Sequence, residues 1–155
     1  MGLSTDSIFI SALQSNDTLM ALLGQTDDKP ARLYGIAIPL PDEELDNVPQ
    51  PYIVVTFDGL QNQQGTKDDT YESIDDMVDI GILVCAKTLK QLHKLTKMVR
   101  GTVLAYLRNT QTCVEDYTLT ADAIQFDQYA PSYWQVLRYQ CEVYTNDDDN
   151  EQDEE

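Results

Sequence analysis

"VDIGILVCAKTLKQLHKLTKMVRGTVLAYLR", residues 78–108, changes its period in the middle, and that change decides the fold. Up to Ala86 the side chains alternate: Val78, Ile80, Ile82, Val84 and Ala86 point one way, Met77, Asp79, Gly81, Leu83 and Cys85 the other. Period two marks a β-strand with one face in a core. From Lys87 onward the apolar repeat lengthens. At ~100° per residue, Leu89, Leu92, Leu95, Val99, Val103, Tyr106 and Leu107 fall within one arc of about 120°, which predicts a long amphipathic helix over 87–108. A half-buried strand feeding a helix with one apolar stripe predicts that the helix packs on the sheet to which the strand belongs.

The flanking sequence supplies the rest of that sheet. "SYWQVLRYQCEVYT", 132–145, is a second strong strand, with Leu137, Tyr139, Cys141 and Val143 on one face and Trp134, Val136, Arg138, Gln140, Glu142 and Tyr144 on the other. "TLTADAIQFDQYA", 118–130, gives a weaker strand around Ile124 and Phe126. Upstream, "YIVVTF", 52–57, is almost wholly apolar or β-branched, as a central strand is, and "RLYGIAIP", 32–39, is β-rich up to Pro39. Pro39, Pro41, Pro49 and Pro51 fence off the acidic loop between these two strands, and "DGLQNQQGTKDDT", 58–70, reads as a long polar loop.

At the start, Ser4 or Asp6 can cap a short helix carrying Ile8, Ala12 and Leu13. Asn16 or Asp17 opens another with Leu19, Leu22 and Leu23, and Gly24 is placed to stop it. The order helix, three strands, long helix, two strands predicts an α+β fold: a mostly antiparallel sheet of about five strands packed on one long helix and short N-terminal helices. One domain is expected over 1–145, followed by a disordered acidic tail over 146–155, "NDDDNEQDEE", which has seven acids and no apolar residue.

Charge is unevenly spread. The chain carries −17 overall, yet residues 80–114 hold six basic residues and no acid. In the helical projection Lys87, Lys90, Lys94, Lys97 and Arg108 share the side opposite the apolar arc, with Gly101 between them and Arg100 at the border. Exposed helix faces ordinarily interleave Glu with Lys at i, i+4, because such pairs help and like charges repel by a few tenths of a kcal/mol. A stripe without one acid, in a chain with acids to spare, predicts an acidic partner for Lys87, Lys90, Lys94, Lys97 and Arg108. The net charge argues against duplex DNA as that partner, since the long-range field repels it.

Catalytic signatures are missing. His93 is the single histidine, and no GxSxG, HExxH or Walker-type sequence accompanies it. The two glycines of "GLQNQQGT", 59–66, are not followed by the Lys of a phosphate loop. The carboxylates of "SIDDMVD", 73–79, lie on a strand with no group to tune an acid/base pair. Cys85, Cys113 and Cys141 are too few and too widely spaced for a disulfide framework or a metal ribbon. No enzymatic role, cofactor or metal is expected, and the absence of a leader or a long apolar run predicts a soluble protein that is neither secreted nor membrane-bound.

Five stretches together resemble one family. "ALQSNDTLMALLG" (12–24), "RLYGIAIPL" (32–40), "QPYIVVTF" (50–57), "VDIGILVCAKTLKQLHKLTKMVRGTVLAYL" (78–107) and "YWQVLRYQCEVY" (133–144) are similar in spacing and apolar character to the tail terminator, or tail-completion, proteins of tailed bacteriophages, over residues 6–145. The resemblance implies a non-enzymatic virion protein, made in the cytoplasm of a bacterial host, that forms a ring, commonly a hexamer. Such a ring caps the tail tube and helps join it to the head. Implied partners are further copies of the chain, the tail tube protein and a neck connector protein. The acidic tail and the loop at 58–70 depart from the family pattern. A stopper-like head-tail connector and an acidic DNA-mimicking inhibitor are the alternative readings.

Overall fold

The computed structural model describes residues 5–35, 49–62, 73–128 and 131–146. The elements run α1 (Thr5–Gln14), α2 (Asp17–Leu22), β1 (Leu33–Gly35), β2 (Tyr52–Asn62), β3 (Ser73–Ala86), α3 (Leu89–Asn109), β4 (Val114–Ala121), β5 (Gln125–Asp127) and β6 (Ser132–Asn146). The strands form one sheet in the order β1-β2-β3-β6-β4, with β5 also paired to β6. Every pairing is antiparallel except β1 with β2. The α+β architecture read from the sequence is therefore the architecture observed.

The β3–β6 pair is the spine of the sheet. Its register is unbroken from Ser73 opposite Asn146 to Ala86 opposite Tyr133. Since β3 and β4 are each antiparallel to β6, they run the same way, and a chain leaving β3 must travel back along the sheet before β4 can begin. That return is α3. It packs on β3 and β6, while α1 packs on β2 and on α3, so all three helices cover one face.

The core lies between the helices and that face. Val78, Ile80, Ile82, Val84 and Ala86 of β3, Leu137, Tyr139 and Cys141 of β6 and Leu92, Leu95, Val99 and Val103 of α3 are all buried. Each such aliphatic side chain stabilises the fold by roughly 1.5–3 kcal/mol relative to exposure. Phe9 of α1 seats the N-terminal helices, its ring 5.0 Å from that of Tyr139, which in turn lies 5.4 Å from Tyr117 of β4.

Local chemistry fixes the helix ends. Asn16 caps α2 by accepting from the Leu19 amide at 3.0 Å. At the other end Gly24, at φ +89, allows its own amide to reach the Ala21 carbonyl and that of Gln25 to reach Met20, a left-handed stop that glycine adopts without strain. Thr88 caps α3, accepting from Gln91 N at 3.1 Å, and Gln91 Oε1 accepts from Lys87 N at 3.2 Å. This reciprocal arrangement starts the helix at Leu89 rather than at Lys87.

Four expectations need correction. Lys87 precedes the helix, and Leu89 is exposed rather than part of the buried stripe. Residues 58–62, expected in a loop, continue β2 past an irregularity between Phe57 and Gly59; positions 63–70 of that expected loop lie outside the described residues. The weak strand expected around Ile124 and Phe126 is two strands, β4 beginning as early as Val114 and the three-residue β5. Ile124 and Phe126 are themselves exposed. Positions 36–39 of the first expected strand and the segment 147–155 also fall outside the described residues.

Candidate interaction surface

Burial of Leu92, Leu95, Val99 and Val103 fixes the rotation of α3 and turns its opposite side outward. Lys90, Lys94, Lys97 and Arg108 occupy that outer side and are exposed, as is Lys87 on the link before the cap. With a rise of 1.5 Å per residue, the stripe from Lys90 to Arg108 extends about 27 Å along the helix. The structure thus brings four of the five sequence-derived positions onto one helix face and sets the fifth beside its N-terminus.

No ion pair found among the described residues involves this face. The ion pairs found among the described residues join Arg138 to Asp58 and to Asp122, on the other side of the sheet. The first turn of α3 contains no acid, although the partial positive charge at a helix N-terminus favours acids there by roughly 0.3–1 kcal/mol. Lys90 in that turn works against helix stability. Intrahelical energetics therefore do not account for the stripe.

Gly101 interrupts the stripe at its middle. A Cβ built there meets no heavy atom within 4 Å, so the fold does not require glycine at this point. Its neighbourhood is a shallow groove of about 770 Å³ lined by Asn16, Asp17, Met98, Gly101, Ala105 and Tyr106. One wall is held by a hydrogen bond from Asn16 Nδ2 to Thr102 Oγ1 at 2.8 Å, which fastens the α1–α2 corner to α3.

The helix-free face of the sheet carries a second polar cluster that sequence reasoning missed. Arg138 Nε donates to both carboxylate oxygens of Asp122, at 3.1 and 2.9 Å, and Arg138 Nη1 lies 3.6 Å from Asp58 Oδ2. Arg138 and Asp58, with Asp79, Thr118 and Gln140, line a hollow of about 400 Å³. Alternation had placed Arg138 on this face. Its acidic partners come from β2 and from the β4–β5 link, which sequence spacing does not bring together.

Other titratable groups serve packing. Burial pushes the Cys141 thiol up to about 12 and raises the thiols of Cys85 and Cys113 as well. All three cysteines are free. His93 is exposed on α3. Among the described residues no group of three or more His, Cys, Asp or Glu side chains could hold a metal ion, and no helix is long and apolar enough to cross a membrane.

No protein-family model and no curated protein sequence matches this chain. Among solved structures, it is similar to a chain from the virion of a native gene transfer agent particle. The two align with a TM-score of 0.52 and 14% identity, over 92% of this chain and 96% of that one. At that identity the likeness is one of fold, and it extends over nearly the full length of both.

Proposed function

We propose that this chain is a non-enzymatic structural protein of a tailed-phage-like particle, one that caps the tail tube and helps join it to the head as a ring of copies. The observation that carries the reading is the acid-free cationic face of α3, left without a described ion-pair partner in a chain of charge −17. The near-full-length likeness in fold to a chain of a gene transfer agent virion supports the particle context.

A ring is built from heterologous contacts, in which two different surfaces of each copy meet. A surface rich in lysine on one copy can then oppose a carboxylate-rich surface on the next, or on the tube beneath, and charge complementarity of this kind sets register and speeds encounter. Lys87, Lys90, Lys94, Lys97 and Arg108 are the residues assigned to that contact, with another copy, the tail tube protein or a neck connector protein as the acidic partner. Six copies is the number that the family resemblance implies.

Native mass measurement together with negative-stain imaging tests the ring directly, with and without purified tail tubes. A discrete closed oligomer, free or at tube ends, is the expected result. A chain that stays monomeric and leaves tubes uncapped overturns the reading. The Lys90→Glu, Lys94→Glu double variant should keep its circular dichroism spectrum and lose assembly or tail joining at physiological salt; normal assembly by that variant removes the stripe from the contact.

A further inference from the structure

Among the described residues β4 pairs with β6 and with no other strand, so its second edge is an edge of the sheet. We infer that this edge docks β4 of a second copy, the two strands running antiparallel about a two-fold axis at Leu119 and joining two sheets into one. The inference goes beyond the ring proposed above and does not rest on it.

Three observations carry it. The first is the direction of the backbone. The Asp122 amide donates to the Val136 carbonyl at 2.9 Å, continuing the register of Ala121 with Leu137. In an antiparallel pair the residues facing the partner alternate. Thr118 and Thr120 therefore turn their amides and carbonyls to β6, and Tyr117, Leu119 and Ala121 turn theirs outward. Consistent with this, the Tyr117 amide is held at 2.8 Å by the carboxylate of Asp116. A row of unpaired backbone groups is a template for another strand, and natural edges are commonly blunted by charge or proline. From Tyr117 to Ala121 this edge has neither, and Thr118, Thr120 and Ala121 are exposed.

The second observation is self-complementarity. Antiparallel pairing about Leu119 sets that residue opposite its own copy, Tyr117 opposite Ala121 and Thr118 opposite Thr120. A ring meets a methyl group and a hydroxyl meets a hydroxyl, pairs that stabilise a sheet. Such a two-fold contact is closed, so it covers the edge without propagating.

The third is the register that Asp116 selects. Centred on Leu119, the Leu119 amides and carbonyls bond reciprocally and each Ala121 amide reaches a Tyr117 carbonyl. Centred on Thr118, the Leu119 carbonyls aim at Tyr117 amides already taken by Asp116. Only charge opposes the favoured register. Asp116 comes opposite Asp122, a carboxylate bound by Arg138, and each copy carries −17. Salt screens both effects, so the edge contact should tighten with salt, whereas a contact through the cationic face of α3 should loosen.

Amide hydrogen exchange of the full chain, read residue by residue at rising protein concentration, tests the inference. At about ten times the dissociation constant about a fifth of the chain stays unpaired. The Leu119 and Ala121 amides should then slow about fivefold relative to the dilute chain, while those of Thr118 and Thr120, already held by β6, should not change. Ala121→Pro removes an outward amide without taking a bond from β6 and should abolish the slowing. Asp116→Ala frees the Tyr117 amide and removes the opposed carboxylate, and should strengthen it. Glu115→Ala, the same change of charge, should have a smaller effect.

Unchanged rates at Leu119 and Ala121 up to the highest soluble concentration overturn the inference. So does slowing shared equally by Thr118 and Thr120, or slowing that persists in Ala121→Pro. If that variant does not fold, weaker pairing in Asp116→Ala than in the parent has the same force. Pairing that loosens with salt also overturns it, because the contact then belongs to the α3 face. Ring formation at tube ends is read separately by imaging, so either reading can fail alone.

Discussion

Arg138 and Asp58 meet at 3.6 Å across an intervening strand because Gly81, between them on β3, has no side chain. A Cβ at position 81 would stand 2.5 Å from Asp58 Oδ2 and 2.9 Å from Thr56 Oγ1, which itself donates to Asp58 Oδ1 at 2.7 Å. Gly81→Ala is expected to displace the Asp58 carboxylate and destabilise the fold by about 1–2 kcal/mol, mostly through overpacking. The partly exposed ion pair itself adds at most about 1 kcal/mol. Urea denaturation checks this, and the same substitution in an Asp58→Ala background should lose most of its penalty. An equal penalty in both backgrounds rejects the steric account.

Two other glycines should respond in opposite directions. Gly101→Ala adds a methyl group in open space on an exposed helix, and is expected to stabilise by roughly 0.5–1 kcal/mol. Gly24→Ala places a side chain at φ +89 and drives it into the Arg32 guanidinium, whose Nε is engaged by the Pro51 carbonyl at 2.9 Å. A loss of about 1–2 kcal/mol is expected there. Thermal unfolding of the two variants side by side gives the signs.

Alkaline pH should weaken the fold through its thiols. An ordinary thiol titrates at 9.0, whereas burial holds Cys141 protonated to about 12 and raises Cys85 and Cys113 in the same direction. Above pH 9 the unfolded chain therefore binds fewer protons than the folded one, and stability falls as pH rises; below it the contribution is constant. The urea midpoint measured at about pH 8 and about pH 10 should show the fall, and Cys141→Ala should shallow it. A variant with the parent's slope would show that Cys141 is not the group responsible.

Phe9 holds the N-terminal helices to the sheet. It is fully buried against Tyr139, so Phe9→Ala is expected to cost about 3–5 kcal/mol, in the range of buried aromatic truncations. Amide hydrogen exchange should show the loss first in α1 and α2 and later in the β3–β6 pair. Uniform loss of protection would mean that α1 is part of one cooperative unit with the sheet.

Legibility in the sequence followed regularity of period. The interior of β3, most of β6 and α3 were readable because each repeats without interruption over the stretch that faces the core. β4 was not, and β2 was cut short, for one shared reason. In β4, two residues, Glu115 and Asp116, take the space of one opposite β6, so Val114 and Tyr117 share a face although their spacing is odd. In β2 the same slip at Asp58 brings Phe57 opposite Ile80 and Leu60 opposite Val78, both on the helix side. A bulge shifts the phase of the alternation, and a reader following period two sees the strand end. The cationic stripe was legible because helical projection needs only the buried side to be right. The Arg138 cluster was not, because its members come from separate elements joined by register alone.

The position of β6 has a consequence for how the molecule comes into being. It is the last of the described strands, yet it lies between β3 and β4 and pairs with both. While the polypeptide emerges from the ribosome, the edges of β3 and β4 that β6 will join stand apart, and the helix spanning them has half a floor beneath its apolar side. Productive collapse waits for the final described strand, a long-range closure of the kind that slows folding and leaves unpaired edges exposed. A nascent chain stalled before Ser132 should therefore be a client for chaperones and proteases, and the finished one should not.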